Sequence, residues 1–238
     1  MCGRFVSASP PDEVARYFDA ALGERLLEPS YNVAPTNEVY VVYETGEARR
    51  LDTMRWGLVP FWAKDPSVGA KMINARAETI TTKNAYRRAL EKRRCIIPAD
   101  GFYEWKKIPG QKTKQPMYIH RADGDRFAFA GLWEVWRNPD RPDDPLLHTC
   151  TIITGAANEK VAEVHDRMPV MQPPDAWDTW LDPHQHDIEL LGKLLVPAPA
   201  SIIAMHPVST DVNRVTNKGP ELIKPLPDVP GADQATLL

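Results

Sequence analysis

Apolar positions near the start of the chain recur at the spacing of a helix. The residues on this stripe are Val14, Tyr17, Phe18 and Leu22. Their period predicts a helix with one face packed on a core. Ser9 can cap its first turn, where Pro10 and Pro11 are tolerated. Further helices are predicted at residues 82–94, 158–164, 176–181 and 188–195.

Short apolar runs bounded by turn residues predict strands along the rest of the chain. They cover residues 39–43, 49–56, 95–98, 102–106, 117–121, 126–136, 147–154 and 201–208. Two hairpins are predicted, one joined at residues 44–46 and the other flanking the turn Ala122-Asp123-Gly124. The 23 prolines fall between the predicted elements, which is typical of short strands joined by rigid loops.

These elements predict one α+β domain over residues 1–224, built on a largely antiparallel, curled, barrel-like sheet with peripheral helices. Residues 225–238 are rich in proline, glycine and small side chains, which predicts a flexible tail. The acidic, proline-rich stretch 136–146 predicts a surface loop.

Composition narrows the class of protein. The 238 residues contain no apolar run near the roughly 18 that span a membrane, and the first residues lack the pattern of a signal peptide. We therefore expect a cytoplasmic location. The cysteines are Cys2, Cys95 and Cys150, an odd number at wide spacing, which argues against a disulfide framework and a zinc site. We expect no metal and no cofactor.

The formal net charge of −3 argues weakly against nucleic-acid binding. Binding requires a local basic patch, however, and the arginines are unevenly distributed. One group comprises Arg49, Arg50 and Arg55, and another comprises Arg87, Arg88, Arg93 and Arg94. Charge alone allows either a nucleic-acid surface or a solvated helix face, and it favours the solvated face.

The first residues of the chain are Met1-Cys2-Gly3-Arg4-Phe5. Cysteine is small enough for the initiator methionine to be removed before it, which leaves an α-amine and a thiol on one residue. An α-amine has a pKa of about 7.7–8.0, so part of it is neutral and nucleophilic near neutral pH. Such a 1,2-aminothiol can condense with an aldehyde to an imine and close to a thiazolidine. Taken alone, a cysteine at position 2 is better explained by chance.

Polar and apolar residues alternate in the segment 71–79. Asn74 and Arg76 can therefore face the same side of a strand. Asn74 both donates and accepts hydrogen bonds, and the planar guanidinium of Arg76 suits a phosphate. A surface strand with a salt bridge between Arg76 and Glu78 explains the same pattern and is favoured for this segment by itself.

Two further residues are candidates for proton transfer. Glu104 lies between aromatic residues on a predicted strand, where burial would raise its pKa and make it a general acid, whereas exposure would leave an ordinary carboxylate. His165 lies at a predicted helix end before Asp166. This position is compatible with a proton shuttle and with a structural side chain. The amides and glycine of residues 205–219 indicate either a shaped loop near the site or an edge loop.

Several motifs occur together in one order. They are MCGRF, YNVAPT, RWGLVPFWAK, INARAET, RRCIIPADGFYEW, HDRMPV and HPVS…VN. In this combination the chain resembles the SRAP family, the SOS-response-associated peptidase proteins. The resemblance covers about residues 1–224, and its most specific part is the N-terminal cysteine together with INARAET and GFYEW.

The resemblance implies that the protein shields abasic sites in single-stranded DNA through a thiazolidine link from Cys2 to the opened deoxyribose. It implies that Asn74 holds the sugar and that Glu104 and His165 handle protons. The phosphate contacts that it implies are Arg4, Arg76 and Arg167, and the residues in motifs that line the DNA cleft are Pro35, Trp56 and Trp62. We expect a monomer with no obligatory protein partner, with lyase and peptidase activity as further expectations.

Two alternatives use the same residues. A thiol peptidase of the N-terminal nucleophile kind would use Cys2 as nucleophile and either its own amine or His165 as base, with Met1 as the first residue cleaved. A non-catalytic module would bind single-stranded DNA without forming a covalent bond. The arginines and aromatic residues favour DNA over a peptide as the substrate.

Overall fold

The computed structural model describes residues 2–46 and 48–227. Its strands are β1 (Phe5–Ser7), β2 (Ala21–Leu22), β3 (Ser30–Val33), β4 (Glu38–Glu44), β5 (Arg49–Trp56), β6 (Asn74–Arg76), β7 (Arg94–Ala99), β8 (Gly101–Lys106), β9 (Gln115–Arg121), β10 (Phe127–Trp136), β11 (Leu147–Ala156), β12 (Arg167–Pro169) and β13 (Ile203–Pro207). From residue 228 onward, the predicted tail lies outside the described residues.

Helices are short and lie around these strands. They are α1 (Pro11–Tyr17), α2 (Asn84–Lys92), α3 (Glu159–Ala162), α4 (Trp177–Leu181) and α5 (Ile188–Lys193), with 3-10 turns at Pro66–Lys71, Ala77–Thr79, Pro174–Ala176, Ala200–Ile202, Thr210–Asn213 and Pro220–Ile223. Within the described ranges, none of the helices has the length and apolar character needed to cross a bilayer.

Five strands close into a barrel. β4 pairs with β5 and β7, and β10 pairs with β7 and β11, all antiparallel. A parallel pairing of β11 with β5, which sets Cys150 opposite Trp56, closes the ring. Because closure occupies the edges of these strands, their inward side chains form a continuous core. The predicted α+β class with a barrel-like sheet is confirmed.

A second antiparallel sheet packs against the barrel, in the order β13-β9-β8-β1-β3. Side chains alternate across β8, so that Phe102 joins the main core while Tyr103 joins a separate cluster on the other face. The ring centroid of Phe102 lies 5.9 Å from that of Phe129 on the barrel. On β1, Phe5 lies 5.1 Å from Trp56 in the same way. These aromatic contacts join the two sheets.

One predicted hairpin is confirmed and the other is wrong. β4 and β5 pair antiparallel around a turn in which Gly46 has a φ of +103°. β9 and β10 also follow each other across a turn, at Gly124, but β9 pairs with β8 and β13 whereas β10 pairs with β7 and β11. Both edges of each strand are thus taken by other strands, and residues 122–126 carry the chain from one sheet to the other.

The first predicted helix is confirmed in part. Val14 and Phe18 are buried, as the apolar stripe predicts. α1 has only 7 residues, however, and Leu22 lies exposed on β2. The expectation that Ser9 caps α1 is wrong, because its hydroxyl and its N–H both donate to the carboxylate of Asp100. Asp100 lies between β7 and β8 and accepts from both groups of Ser9, and α1 begins without a side-chain cap.

Candidate active site around Cys2

The first described residue lies inside the protein. Cys2 is 0% exposed and belongs to the main core between the two sheets. β1 pairs antiparallel with β8, and the Tyr103 N–H donates to the Arg4 carbonyl oxygen at 3.0 Å. Because the two strands run in opposite directions, the residues that precede Arg4 lie beside the next residues of β8, where Glu104 is located.

Asn74 contacts Cys2 from the barrel. Its Nδ2 donates to the Cys2 carbonyl oxygen at 2.8 Å. β6 is fixed because it pairs with β11, which sets Asn74 opposite Ile152, and because the Tyr86 hydroxyl donates to the Asn74 carbonyl oxygen at 3.3 Å. The Oδ1 atom of Asn74 is buried and accepts no hydrogen bond from any described residue. The amide therefore positions Cys2 and keeps one acceptor for a bound hydroxyl.

Glu104 lies on the same face of β8 as Phe102, with 4% of its surface exposed. Burial raises the pKa of its carboxyl group, and the positive charge of His165 opposes that rise. Burial also raises the pKa of the Cys2 thiol, and the negative charge of Glu104 raises it further. Cys2, Glu104 and His165 thus influence one another's charge electrostatically, although they are far apart in sequence. Burial, the largest of these effects, favours the protonated carboxyl group and the neutral thiol.

His165 follows α3 and is half-buried. The backbone N–H of Arg167 donates to its Nδ1 at 2.9 Å, so in the neutral ring the proton lies on Nε2. The Asp166 carboxylate also lies 2.9 Å from Nδ1, but it is exposed to water, so the backbone donor decides the tautomer. His165 is thus arranged as a donor through Nε2.

The three expected phosphate contacts have different surroundings. Arg76 is exposed, and no described residue forms an ion pair with it. Arg4 donates from Nη1 to Asn32 Oδ1 at 2.8 Å. Arg167 donates from Nη1 and Nη2 to the two oxygens of Glu78, at 2.5 and 2.9 Å. The salt bridge considered between Arg76 and Glu78 is therefore not formed, since Arg167 is the partner of that carboxylate.

The residues expected along the DNA cleft also differ in exposure. Trp62 is 58% exposed, next to the exposed ring of Phe61. Trp56 is fully buried, and its Nε1 donates to the Ile73 carbonyl oxygen at 2.9 Å. Pro35 is half-buried in the turn between β3 and β4. Trp62 and Pro35 are thus accessible to a ligand, whereas Trp56 supports the segment that leads into Asn74.

The basic segment around α2 is divided between surface and interior. Arg94 is buried and donates to four backbone carbonyls. Arg93 pairs with the buried carboxylate of Glu134. Arg88 remains at the surface, 4.3 Å from the centroid of the Phe61 ring. The expectation of a solvated helix face therefore fails for the last two arginines, which hold α2 and α4 against the barrel.

Asn32 is a central residue that the sequence did not single out. It is fully buried on β3, and its Oδ1 accepts from Arg4 at 2.8 Å. Its Nδ2 is shared by three carbonyl oxygens, of Val212 at 3.1 Å, Arg214 at 3.1 Å and Asn217 at 3.0 Å. Asn32 thus ties the loop 209–218 to the strand beside Arg4. Its one signal was an amide within an otherwise apolar strand segment.

Replacing Asn32 with alanine is expected to lower the free energy of unfolding by about 2–3 kcal/mol, because it leaves buried carbonyls without a donor. Urea denaturation followed by tryptophan fluorescence measures the change. The exposed Asn84 provides a control, and Asn84→Ala should stay within about 0.5 kcal/mol of the parent. Equal losses in the two variants would contradict the role assigned to Asn32.

Comparisons with known proteins agree on one family. The family model described as SOS response associated peptidase (SRAP) matches residues 1–215. Among curated proteins, the abasic site processing protein YoqW of Bacillus subtilis is 46% identical over 226 residues, covering 94% of this chain and 99% of its own. The abasic site processing protein YedK of Escherichia coli is 34% identical, covering 95% and 100%.

The fold has also been seen in a crystal. A protein of Bacteroides thetaiotaomicron matches with a TM-score of 0.84 at 24% identity, covering 94% of this chain and 100% of that chain. At this identity the match supports the fold alone. The family model, by contrast, spans most of the chain, including the cysteine, the asparagine, the glutamate and the histidine described above. The chain therefore belongs to the SRAP family.

Proposed function

We propose that this protein captures the aldehyde of an abasic site in single-stranded DNA, using the α-amine and the thiol that Cys2 carries once Met1 has been removed. The relatives named above are abasic site processing proteins, which supports a substrate of this kind. One observation carries the proposal. Cys2 lies in the interior against Asn74 and interacts electrostatically with Glu104, so this residue faces acid–base groups rather than bulk water.

The first steps use His165 and the amine. The sugar of an abasic site is mostly a closed hemiacetal. His165 donates a proton from Nε2 to the ring oxygen, and the proton of the anomeric hydroxyl returns to that nitrogen as the aldehyde forms, so the imidazole ends as it began. The neutral amine of Cys2 then attacks the aldehyde carbon to give a carbinolamine. Proximity dominates this step, because the open form is scarce and must be held within reach. The free acceptor of Asn74 suits a sugar hydroxyl.

The later steps use Glu104 and the thiol. The protonated carboxyl of Glu104 gives its proton to the carbinolamine hydroxyl, which leaves as water, and an iminium forms. The sulfur of Cys2 bonds to the iminium carbon, and the thiol proton returns to Glu104. The sum is aldehyde plus aminothiol going to thiazolidine plus one water, with Glu104 restored. The raised pKa of Glu104 favours the protonated form that this cycle needs.

The thiol peptidase alternative receives less support from the same geometry. A cysteine peptidase attacks with a thiolate, and its cysteine normally has a lowered pKa. Here burial and the neighbouring Glu104 raise the pKa of the Cys2 thiol. A neutral thiol is compatible with ring closure onto an iminium, which is a strong electrophile, but it is a poor nucleophile toward a peptide bond.

The capture reaction predicts a covalent complex of defined mass. When the mature protein is mixed with a single-stranded oligonucleotide carrying one abasic site, we expect a band that survives a denaturing gel. Intact mass spectrometry should give the protein without Met1 plus the DNA minus one water. The same oligonucleotide with an ordinary base at that position is the control and should give no adduct. Cleavage of a test peptide without any DNA adduct would instead support the peptidase.

A further inference from the structure

Glu78 lies at the edge of this site, bound to Arg167, but no step of the capture chemistry involves it. We propose that Glu78 limits the affinity of the protein for single-stranded DNA by occupying the guanidinium of Arg167, where a phosphate of the strand would otherwise bind. This inference rests on the proposed function and extends it to the control of strand binding.

The contact between the two side chains has the geometry of an anion site. Nη1 and Nη2 of Arg167 reach the two carboxylate oxygens of Glu78, at 2.5 and 2.9 Å. Two parallel N–H···O bonds of this kind are also how arginine binds a phosphate. Nη2 additionally donates to the Thr154 carbonyl oxygen at 2.6 Å. A phosphate therefore gains both bonds from Arg167 only when the carboxylate leaves.

Glu78 is the member of the pair that can move. Its side chain is 52% exposed, whereas that of Arg167 is 17% exposed and is held by Thr154. The hydrogen bonds from Arg167 lower the pKa of the Glu78 carboxyl, and the nearby charge of Arg76 acts in the same direction. The carboxylate is thus ionised at neutral pH and competes with phosphate for the same donors.

The pair lies beside the reactive groups. β6 and β12 both pair with β11, which sets Thr154 opposite Arg76 and Ala156 opposite Arg167. The backbone N–H of Arg167 contacts His165 directly. Arg76, Glu78 and Arg167 therefore form one surface at the edge of the site, where two positive charges are partly offset by one negative charge. With Glu78 in place, only Arg76 of the two arginines is available to a phosphate. Removing the negative charge of Glu78 makes Arg167 available as well.

The test measures binding of a labelled oligothymidine without an abasic site, by fluorescence anisotropy at several NaCl concentrations. Glu78→Gln keeps the shape of the side chain and removes its charge. We expect it to bind about fivefold more tightly at low salt, the upper range for an exposed ion pair. The slope of log K against log salt should become steeper by about 0.7, as one added phosphate contact requires.

Matched variants separate this mechanism from a general effect of charge. Glu24→Gln removes one negative charge from an exposed position between β2 and β3, where it leaves the pair of Arg167 and Glu78 intact, and should leave the slope unchanged. In an Arg167→Gln background, Glu78→Gln should no longer steepen the slope. Should Glu78→Gln melt early, Glu78→Asp replaces it. The aspartate side chain is one methylene shorter and holds its carboxylate further from Arg167, so this variant should bind DNA more tightly than the parent.

Unchanged or weaker DNA binding by a folded Glu78 variant would overturn the inference and leave Arg167 with a structural role. That result is distinct from failure of the proposed function. If the parent protein forms no adduct with abasic DNA, the capture chemistry is wrong, whatever Glu78 does to the binding of the unmodified strand.

Discussion

Cys2→Ala is expected to abolish the denaturant-resistant complex with abasic single-stranded DNA. The variant keeps an α-amine after Met1 is removed, so it can still form an imine, but it has no sulfur to close the thiazolidine. An imine hydrolyses during denaturation, and the band on the gel should therefore vanish. Adding borohydride during the reaction should reduce the imine and restore a band, which separates the role of the amine from that of the thiol.

A second cysteine provides the matched control. Cys150 is also a buried thiol with a raised pKa, but it lies on β11 inside the chain. Cys150→Ala should crosslink as the parent does once its folded state has been checked by thermal melting. A stable adduct of Cys2→Ala without borohydride, identified by intact mass, would refute thiazolidine formation. Loss of the adduct in both variants would point to damage to the core.

Glu104→Gln should slow the formation of the crosslink by about 10²-fold or more, the usual contribution of a positioned general acid. Glutamine fills the same buried space, and it cannot deliver a proton to the departing hydroxyl. The rate is measured by quenching the reaction at intervals and quantifying the adduct on denaturing gels. A folded variant that reacts at the parental rate would remove Glu104 from the mechanism.

The pH dependence gives an independent signature of Glu104. Burial raises its pKa, so the protonated form persists to a higher pH than for an ordinary glutamate. The rate should fall as pH rises through that raised pKa, and it should also fall at low pH, where the amine is protonated. In Glu104→Gln the fall at high pH should disappear. Glu163→Gln, an exposed change two residues before His165, should keep the parental profile.

The elements of the fold were largely predictable because their patterns are local. The strands at residues 39–43 and 49–56 and their hairpin follow from apolar runs around a turn, and the structure has them. The pairing of β9 with β10 was predicted by the same reasoning and is wrong, since two adjacent strands with a turn can enter different sheets. Partner choice depends on which core each strand covers, and that is a property of the whole chain.

The residues of the candidate site also separate into properties that the sequence shows and properties that only folding decides. The chemistry of Cys2 after loss of Met1 and the hydrogen-bonding capacity of Asn74 belong to the residues themselves. The state of Glu104 did not follow from the sequence, because alternation along β8 does not tell that both of its faces are covered in the folded protein. Asn32 was missed because the carbonyls that it binds lie about 180 positions further along the chain.

By itself, the sequence determined the inventory of reactive groups, the α+β class with a curled sheet, and membership of a family through its ordered motifs. The tertiary structure alone decided which of these groups meet. Closure of the barrel and packing of the second sheet buried Glu104 near Cys2 and placed the Asn74 side chain against the Cys2 carbonyl oxygen. The same packing paired Arg167 with Glu78. The physical reason is that pKa shifts and ion pairs depend on distance and burial in space, and neither can be read from separation along the chain.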